Sequence, residues 1–168
     1  MQTLCPFALN KLISNHSWPG TLKDKTMIVL HITQGPTAQS AWWSCYNSVA
    51  PHRTSFHFVI DTDGTIWQVL PLEDIGFHAS QVNRKSIGIE HSAICGKQPP
   101  TEAQYASSAK LVSWLCTTLN IPCDKDHIQP HSIASPADNH QTCCQGTPEA
   151  PGLDPNQVIQ AAAKLLNP

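Results

Sequence analysis

The sequence is poor in charge: only 13% of its 168 residues are Asp, Glu, Lys or Arg, against about 25% in an average domain. Ten basic and twelve acidic residues give a formal net charge of -2, so there is no basic excess of the kind that nucleic-acid binding requires. No apolar run approaches the roughly 20 residues of a membrane span. Residues 1–10 also lack the basic and then apolar stretch of a signal peptide.

The length and the hydrophobic content of the chain suit one compact domain. With 168 residues, 40% of them hydrophobic, the chain can bury a single core. We therefore expect one domain over residues 1–168, with an irregular segment at residues 1–25 where Pro6, Pro19 and Gly20 interrupt regular structure.

Strand patterns alternate with helix patterns along the chain, which predicts an α/β domain with a central mixed sheet flanked by helices. Thr62, Asp63 and Gly64 predict a hairpin turn, whereas Thr101 with Gln104 and Asp154 with Pro155 predict helix starts. Residues 130–153 are expected to be irregular. The predicted strands are residues 27–33, 55–61, 65–70, 85–94 and 127–130, and the predicted helices begin at residues 37, 101 and 154.

Histidine and cysteine are plentiful, with nine and seven residues. An odd number of cysteines suggests that they are not all paired in disulfides. If one cysteine binds a metal, six are left for three disulfides, and the sequence does not decide whether these form. The cysteines are Cys5, Cys45, Cys95, Cys116, Cys123, Cys143 and Cys144.

Three of these residues form a candidate metal site. His31 ends the first apolar strand, His131 follows a short strand-like stretch, and Cys144 comes thirteen residues later. Imidazole and thiolate are ligands that zinc favours, and a catalytic zinc keeps three protein ligands and one open position. The alternative for His31 is a core histidine bonded to the backbone, and such wide spacing is weak evidence alone.

The order of short motifs resembles the type 2 amidase family, which includes phage endolysins, bacterial recycling amidases and peptidoglycan recognition proteins. Members carry a strand ending in histidine, a hairpin with histidine and Asp-Gly, a His-Ala pair, an Asn-x-x-Ser-Ile-Gly strand, and a late histidine before Cys-Pro-Gly or Asp-Pro-Gly. The resemblance covers residues 27–166. Here the motifs are His31, Phe56-His57, Asp63-Gly64, His78-Ala79, Asn83 to Gly88, His131 and Cys144-Gln145-Gly146.

The resemblance implies a zinc-dependent N-acetylmuramoyl-L-alanine amidase with one zinc on His31, His131 and Cys144. It implies that Glu90 is the general base and acid, because the tyrosine of endolysin-type members is replaced here by Phe56. Such a metal activates water and polarises the amide carbonyl. Thr142 matches the residue that contacts the oxyanion.

The same resemblance implies a set of substrate-binding residues near the cleft. The two histidines in this set could instead orient the metal ligands, and the tryptophans, with Trp67, could instead belong to the core. The candidates are His57, His78, Asn83, Trp42 and Trp43.

Several alternatives stay open. Cys143 adjoins Cys144, and Asp138 and His140 are weaker ligand candidates in a long interval after His131. A peptidoglycan-binding module without activity, a hydrolase with Cys144 as nucleophile and His131 as base, and an amidase for soluble muropeptides are the rival functions.

The biological setting is equally open between a phage endolysin, a toxin delivered into rival cells and a housekeeping amidase. The expected substrate is peptidoglycan or a muropeptide. Because no signal peptide is visible, we expect synthesis in the cytoplasm and delivery to the cell wall by lysis or a secretion system. A delivered toxin would have a cognate immunity protein as its partner.

Overall fold

The computed structural model describes residues 2–138 and 152–167, and its centre is a mixed six-stranded sheet. The strands are β1 (Leu9–Asn10), β2 (Met27–Ile32), β3 (Phe58–Ile60), β4 (Ile66–Gln68), β5 (Ser86–His91) and β6 (Ile128–Pro130). The helices are α1 (Ala38–Asn47), α2 (Glu102–Leu119), α3 (His131–Ala134) and α4 (Pro155–Leu166).

The strand order is β1-β4-β3-β5-β2-β6, and the four strands from β3 to β6 in this order run parallel. Among these six strands, β3 and β4 pair in antiparallel orientation, while β1 pairs with β4 in parallel. This arrangement confirms the predicted α/β class with a mixed sheet. It also places the carboxyl ends of β2, β5 and β6 at one edge, where parallel sheets commonly bind ligands.

One face of the sheet is covered by α2 and α4. Ile28 and Leu30 of β2 and Ile87 and Ile89 of β5 are fully buried there, in one apolar cluster with Leu115 and other residues of the two helices. The continuous apolar run at residues 27–30 of β2 is typical of a strand in a parallel sheet that is covered by helices.

The opposite face carries His31 and Glu90, near the carboxyl ends of the same strands. Because side chains alternate along a strand, His31 and Glu90 point away from α2 and α4, and the two residues are register partners. Helix α1 covers part of this face, where its Ala41 and Cys45 pack with Val59. The chemistry-bearing side chains therefore lie beside α1 and not in the main core.

The predicted helix starts are confirmed. Thr101 and Gln104 form a reciprocal capping box at α2, and the carboxylate of Asp154 accepts a hydrogen bond from the Asn156 amide at α4. Thr37 forms a further capping box with Ser40 at α1. Each box satisfies backbone donors that a helix start would otherwise leave unpaired.

Two segments expected to be irregular contain short regular pieces. Residues 9–10 form the edge strand β1, and residues 131–134 form the one-turn helix α3, followed by a 3₁₀ turn at residues 136–138. Within the described part of the chain, none of the helices has the length and apolarity that crossing a membrane demands.

Candidate functional site

The site is built at the carboxyl ends of two neighbouring parallel strands. His31 is the fifth residue of β2, and His131 directly follows β6 as the first residue of α3. Leu30 and Pro130, which precede them, are register partners. The backbone thus brings together two side chains that are a hundred residues apart in the sequence.

The Nδ1 atoms of the two histidines face each other at 3.1 Å. Both rings are nearly buried, and their planes are close to perpendicular, at 80°. Two nitrogens on one tetrahedral zinc, each about 2.0–2.1 Å from it, lie roughly 3.3 Å apart. The spacing of these Nδ1 atoms therefore fits two ligands of one metal ion.

The outer nitrogen of each ring is also engaged. Nε2 of His31 lies 3.1 Å from Nδ1 of His78, and Nε2 of His131 lies 2.9 Å from Oδ2 of Asp138. Partners of this kind fix the orientation of metal-binding imidazoles. His78, a predicted substrate-binding residue, is thus placed directly behind His31, on the lining of the groove described below.

Asp138 links His131 to the loop that follows His78. Its carboxylate accepts hydrogen bonds from both the amide and the hydroxyl of Ser80. Although partial burial opposes ionisation, the hydrogen bonds from Ser80 and His131 hold the pKa of Asp138 well below its usual range. Because this carboxylate bonds the outer Nε2 of His131 and not Nδ1, it lies on the side of the ring away from His31.

Glu90 lines a groove of about 260 Å³ together with both histidines. Cys45 and Phe56 lie on the same groove, and burial raises the pKa of Glu90 to about 8. Its Oε2 is inaccessible and has no hydrogen-bond partner among the residues that the structure describes. A carboxyl group in this state can both take up and release a proton near neutral pH.

Four candidates lie outside the described residues: Cys144, Thr142, Cys143 and His140. Within residues 2–138 and 152–167, no group of three or more His, Cys, Asp or Glu side chains is arranged to hold a metal. His31 and His131 are the two predicted ligands within this range, and the predicted third ligand, Cys144, lies outside it.

His57 lies in the core and not on the groove. It is fully buried, its Nε2 lies 2.9 Å from the Asp74 carbonyl, and its Nδ1 accepts from the Gly88 amide. Burial, with a contribution from the nearby charge of Lys25, lowers its pKa to about 3. His57 is therefore a neutral residue that ties β5 to a loop, which leaves it no polar atom for a substrate.

The other predicted substrate contacts stay predictions. Oδ1 of Asn83 accepts from the amides of His78 and Ala79, so this residue shapes the loop behind the site. Trp43 is exposed on α1, whereas Trp42 packs against the apolar cluster of Ala41 and Cys45, donates to the Lys11 carbonyl and stacks on Tyr46.

Four described cysteines carry free thiols, so six paired cysteines are not present in this structure. They are Cys5, Cys45, Cys116 and Cys123.

A family model described as N-acetylmuramoyl-L-alanine amidase matches residues 22–150. Among curated proteins, the N-acetylmuramoyl-L-alanine amidase CwlH of Bacillus subtilis (strain 168) is 30% identical over 131 residues, which cover 71% of this chain and 48% of CwlH. The chain thus spans about half the length of this curated relative.

Solved structures agree with this match. A mutant endolysin from Bacillus subtilis has a TM-score of 0.60 and 27% identity, covering 76% of this chain and 84% of its own. A selenomethionine derivative of AmpD has a TM-score of 0.65 and covers 96% and 97% of the two chains. At 20% identity, AmpD supports the fold alone.

Proposed function

The chain belongs to the N-acetylmuramoyl-L-alanine amidase family, and from this we propose that it hydrolyses the amide bond between N-acetylmuramic acid and L-alanine in peptidoglycan. The observation that carries the proposal is the groove shared by two converging histidine nitrogens and the protonatable Glu90. These are the parts that metal-assisted hydrolysis of an amide requires.

We infer that one zinc ion is held by His31, His131 and Cys144. The 3.1 Å spacing of the two Nδ1 atoms supports the first two ligands, and the family resemblance supports the third. A bound zinc supplies Lewis-acid chemistry, because it lowers the pKa of water and polarises an amide carbonyl.

Glu90 is the proposed proton carrier. Its ionised carboxylate takes a proton from the attacking water, and the resulting acid returns that proton to the leaving amino group of L-alanine. Phe56 lines the same groove and has no ionisable group, so it cannot share this role. Thr142, by resemblance, donates a hydrogen bond to the developing oxyanion.

The rival functions need different features. A hydrolase with a Cys144 nucleophile and a His131 base would need one imidazole, whereas this site brings the Nδ1 atoms of two imidazoles together. A binding module would have no use for a carboxyl group whose pKa lies near neutrality. Both observations favour the metal-dependent amidase.

The test of the zinc site compares two neighbouring cysteines. We expect Cys144→Ser to lose zinc and peptidoglycan hydrolysis together, because the metal loses one of three protein ligands. Cys143→Ser is the matched control and should keep both. Zinc is measured by mass spectrometry of the metal in purified protein, and hydrolysis by the release of soluble fragments.

Two results would contradict this ligand set. Zinc retained in Cys144→Ser but lost in Cys143→Ser would move the third ligand by one residue. A parent protein that contains no zinc and still hydrolyses peptidoglycan would favour the cysteine nucleophile instead.

The cell wall is the proposed place of action, because the substrate is found there. Delivery by lysis or by a secretion system, and an immunity protein as partner, stay predictions about the setting. Comparing intact sacculi with soluble muropeptides as substrates would distinguish wall degradation from recycling.

A further inference from the structure

Hydrogen bonds link His31 to His78 and His78 to Ser86, and the donor in each can be assigned by starting from Ser86. The hydroxyl of Ser86 lies 2.8 Å from the Val82 carbonyl, and a carbonyl can only accept. The single hydroxyl proton of Ser86 is therefore donated to the Val82 carbonyl. Toward Nε2 of His78, 3.3 Å away, the Ser86 oxygen can only accept, so His78 carries a proton on Nε2.

The direction continues through the His78 ring. A neutral imidazole with a proton on Nε2 has a lone pair on Nδ1. That atom lies 3.1 Å from Nε2 of His31, which must therefore be the donor. His31 then carries its proton on Nε2 and a lone pair on Nδ1, the atom that faces His131.

The position of the His78 ring is built into the fold. A Cβ at Gly88 would lie 2.7 Å from Cγ of His78, so the ring occupies the space that any other residue at position 88 would fill. The backbone amides of His78 and Ala79 both donate to Asn83. The loop at residues 78–83 and strand β5 together fix the position of the His78 ring.

We propose that His78, held by Ser86, is a positioning residue that fixes His31 as the Nε2–H tautomer and presents its Nδ1 to the metal. This inference rests on the proposed metal site. Outer partners of metal-binding histidines set the tautomer and the ring orientation and raise the basicity of the ligand. Here a second, neutral histidine does this for His31, whereas a carboxylate, Asp138, holds His131.

The first arm of the test is zinc affinity, measured by competition with a chromophoric chelator. We expect His78→Leu to weaken zinc binding about 10–100-fold, the usual effect of losing such a partner. His78→Asn should recover most of the loss, because its amide oxygen can accept from His31 near the position of the lost Nδ1.

Ser86→Ala should also weaken zinc binding, by less than His78→Leu, because His78 is then free to change tautomer. Its matched control is Ser92→Ala, which removes another buried hydroxyl close to the end of β5. Among the described residues, the Ser92 hydroxyl has no hydrogen-bond partner. Ser92→Ala should bind zinc as the parent does.

The second arm observes the tautomer directly, by ¹⁵N NMR of the histidine rings in metal-free parent protein. We expect His31 to carry its proton on Nε2, and this result holds even if His78→Leu does not fold. A proton on Nδ1 of His31, or parental zinc affinity in His78→Leu, would overturn the inference. A parent that binds no zinc would contradict the proposed metal site instead.

Discussion

Glu90 is a carboxylic acid in surroundings that resist its charge. It lies on a groove beside Phe56 and the buried thiol of Cys45, and burial raises its pKa to about 8. A catalytic acid or base works best when its pKa is near the operating pH. The same burial makes ionisation of Glu90 unfavourable in the folded protein. The proposed proton transfer can therefore be tested by turnover, and the effect of ionisation on stability by melting at several pH values.

Replacing Glu90 with Gln should remove proton transfer and leave the metal site intact. Loss of a general base typically lowers the rate about 10²–10⁴-fold, and we expect turnover to fall within that range with zinc content unchanged. Glu102→Gln, an exposed change at the start of α2, is the control and should keep parental turnover. Full turnover with full zinc in Glu90→Gln would remove Glu90 from the mechanism.

The stability of the metal-free protein should also depend on pH through Glu90. Its pKa is raised from 4.5 to about 8 on folding, so the folded state holds a proton that the unfolded state releases between these values. Stability from this group is therefore complete below pH 4.5 and is lost as pH rises toward 8. Glu90→Gln cannot lose a proton and avoids this loss.

We therefore expect the melting temperature of Glu90→Gln, relative to the parent, to increase between about pH 5 and pH 8 in the presence of chelator. Scanning calorimetry at several pH values measures this difference. A difference that is constant with pH would show that Glu90 titrates at its ordinary value.

His31, His131 and Glu90 could be proposed as site residues from the sequence because each matches a motif of the family that the chain resembles. From the sequence, Ser86 has no assigned hydrogen-bond role, His78 is open between binding substrate and orienting a metal ligand, and Asp138 is only a weaker ligand candidate. Their roles depend on which ring nitrogen faces which neighbour, and this is decided by side-chain orientation in the folded chain.

Strands β2 and β5 contribute both to the apolar core and to the site, through alternate residues. Their apolar positions pack under α2 and α4, and their alternate positions supply His31, Glu90 and the space for His78. Gly88 occupies one of these alternate positions, beside the His78 ring. Its lack of a side chain is therefore a requirement of the site.

Gly88→Ala should destabilise the protein by about 1–3 kcal/mol, the usual cost of overpacking. The added methyl group would lie 2.7 Å from His78 Cγ, and zinc affinity should fall because the His78 ring is displaced. Denaturant unfolding measures the stability change. In a His78→Ala background the cost should nearly vanish, and an equal cost in both backgrounds would contradict the clash.

The sequence predicted strands β2 to β6 and helices α1, α2 and α4, and it missed β1 and α3. Residues 27–33 and 101–119 have clear apolar patterns, and β2 and α2 form there. Strand β1 has only two residues, too few to show alternation, and α3 is a single turn between Pro130 and Pro136. Helix α3 nevertheless matters, because it begins with His131 and leads to Asp138.

The molecule as a whole combines a rigid sheet with a site at its strand ends. Four parallel strands fix His31, Glu90 and His131 on one edge, and the helices α2 and α4 stabilise the sheet from the face that the site does not use. Sites on such rigid elements hold their geometry better than sites on loops. Family membership and the geometry of the groove both support the proposed hydrolysis.

The most direct test of this account is mass spectrometry of purified peptidoglycan after digestion with zinc-loaded protein. We expect free stem peptides that begin with L-alanine, glycan strands without peptides, and no products after treatment with chelator. Cleavage within the glycan or the peptide, or equal release in the presence of chelator, would contradict the assignment as a zinc-dependent N-acetylmuramoyl-L-alanine amidase.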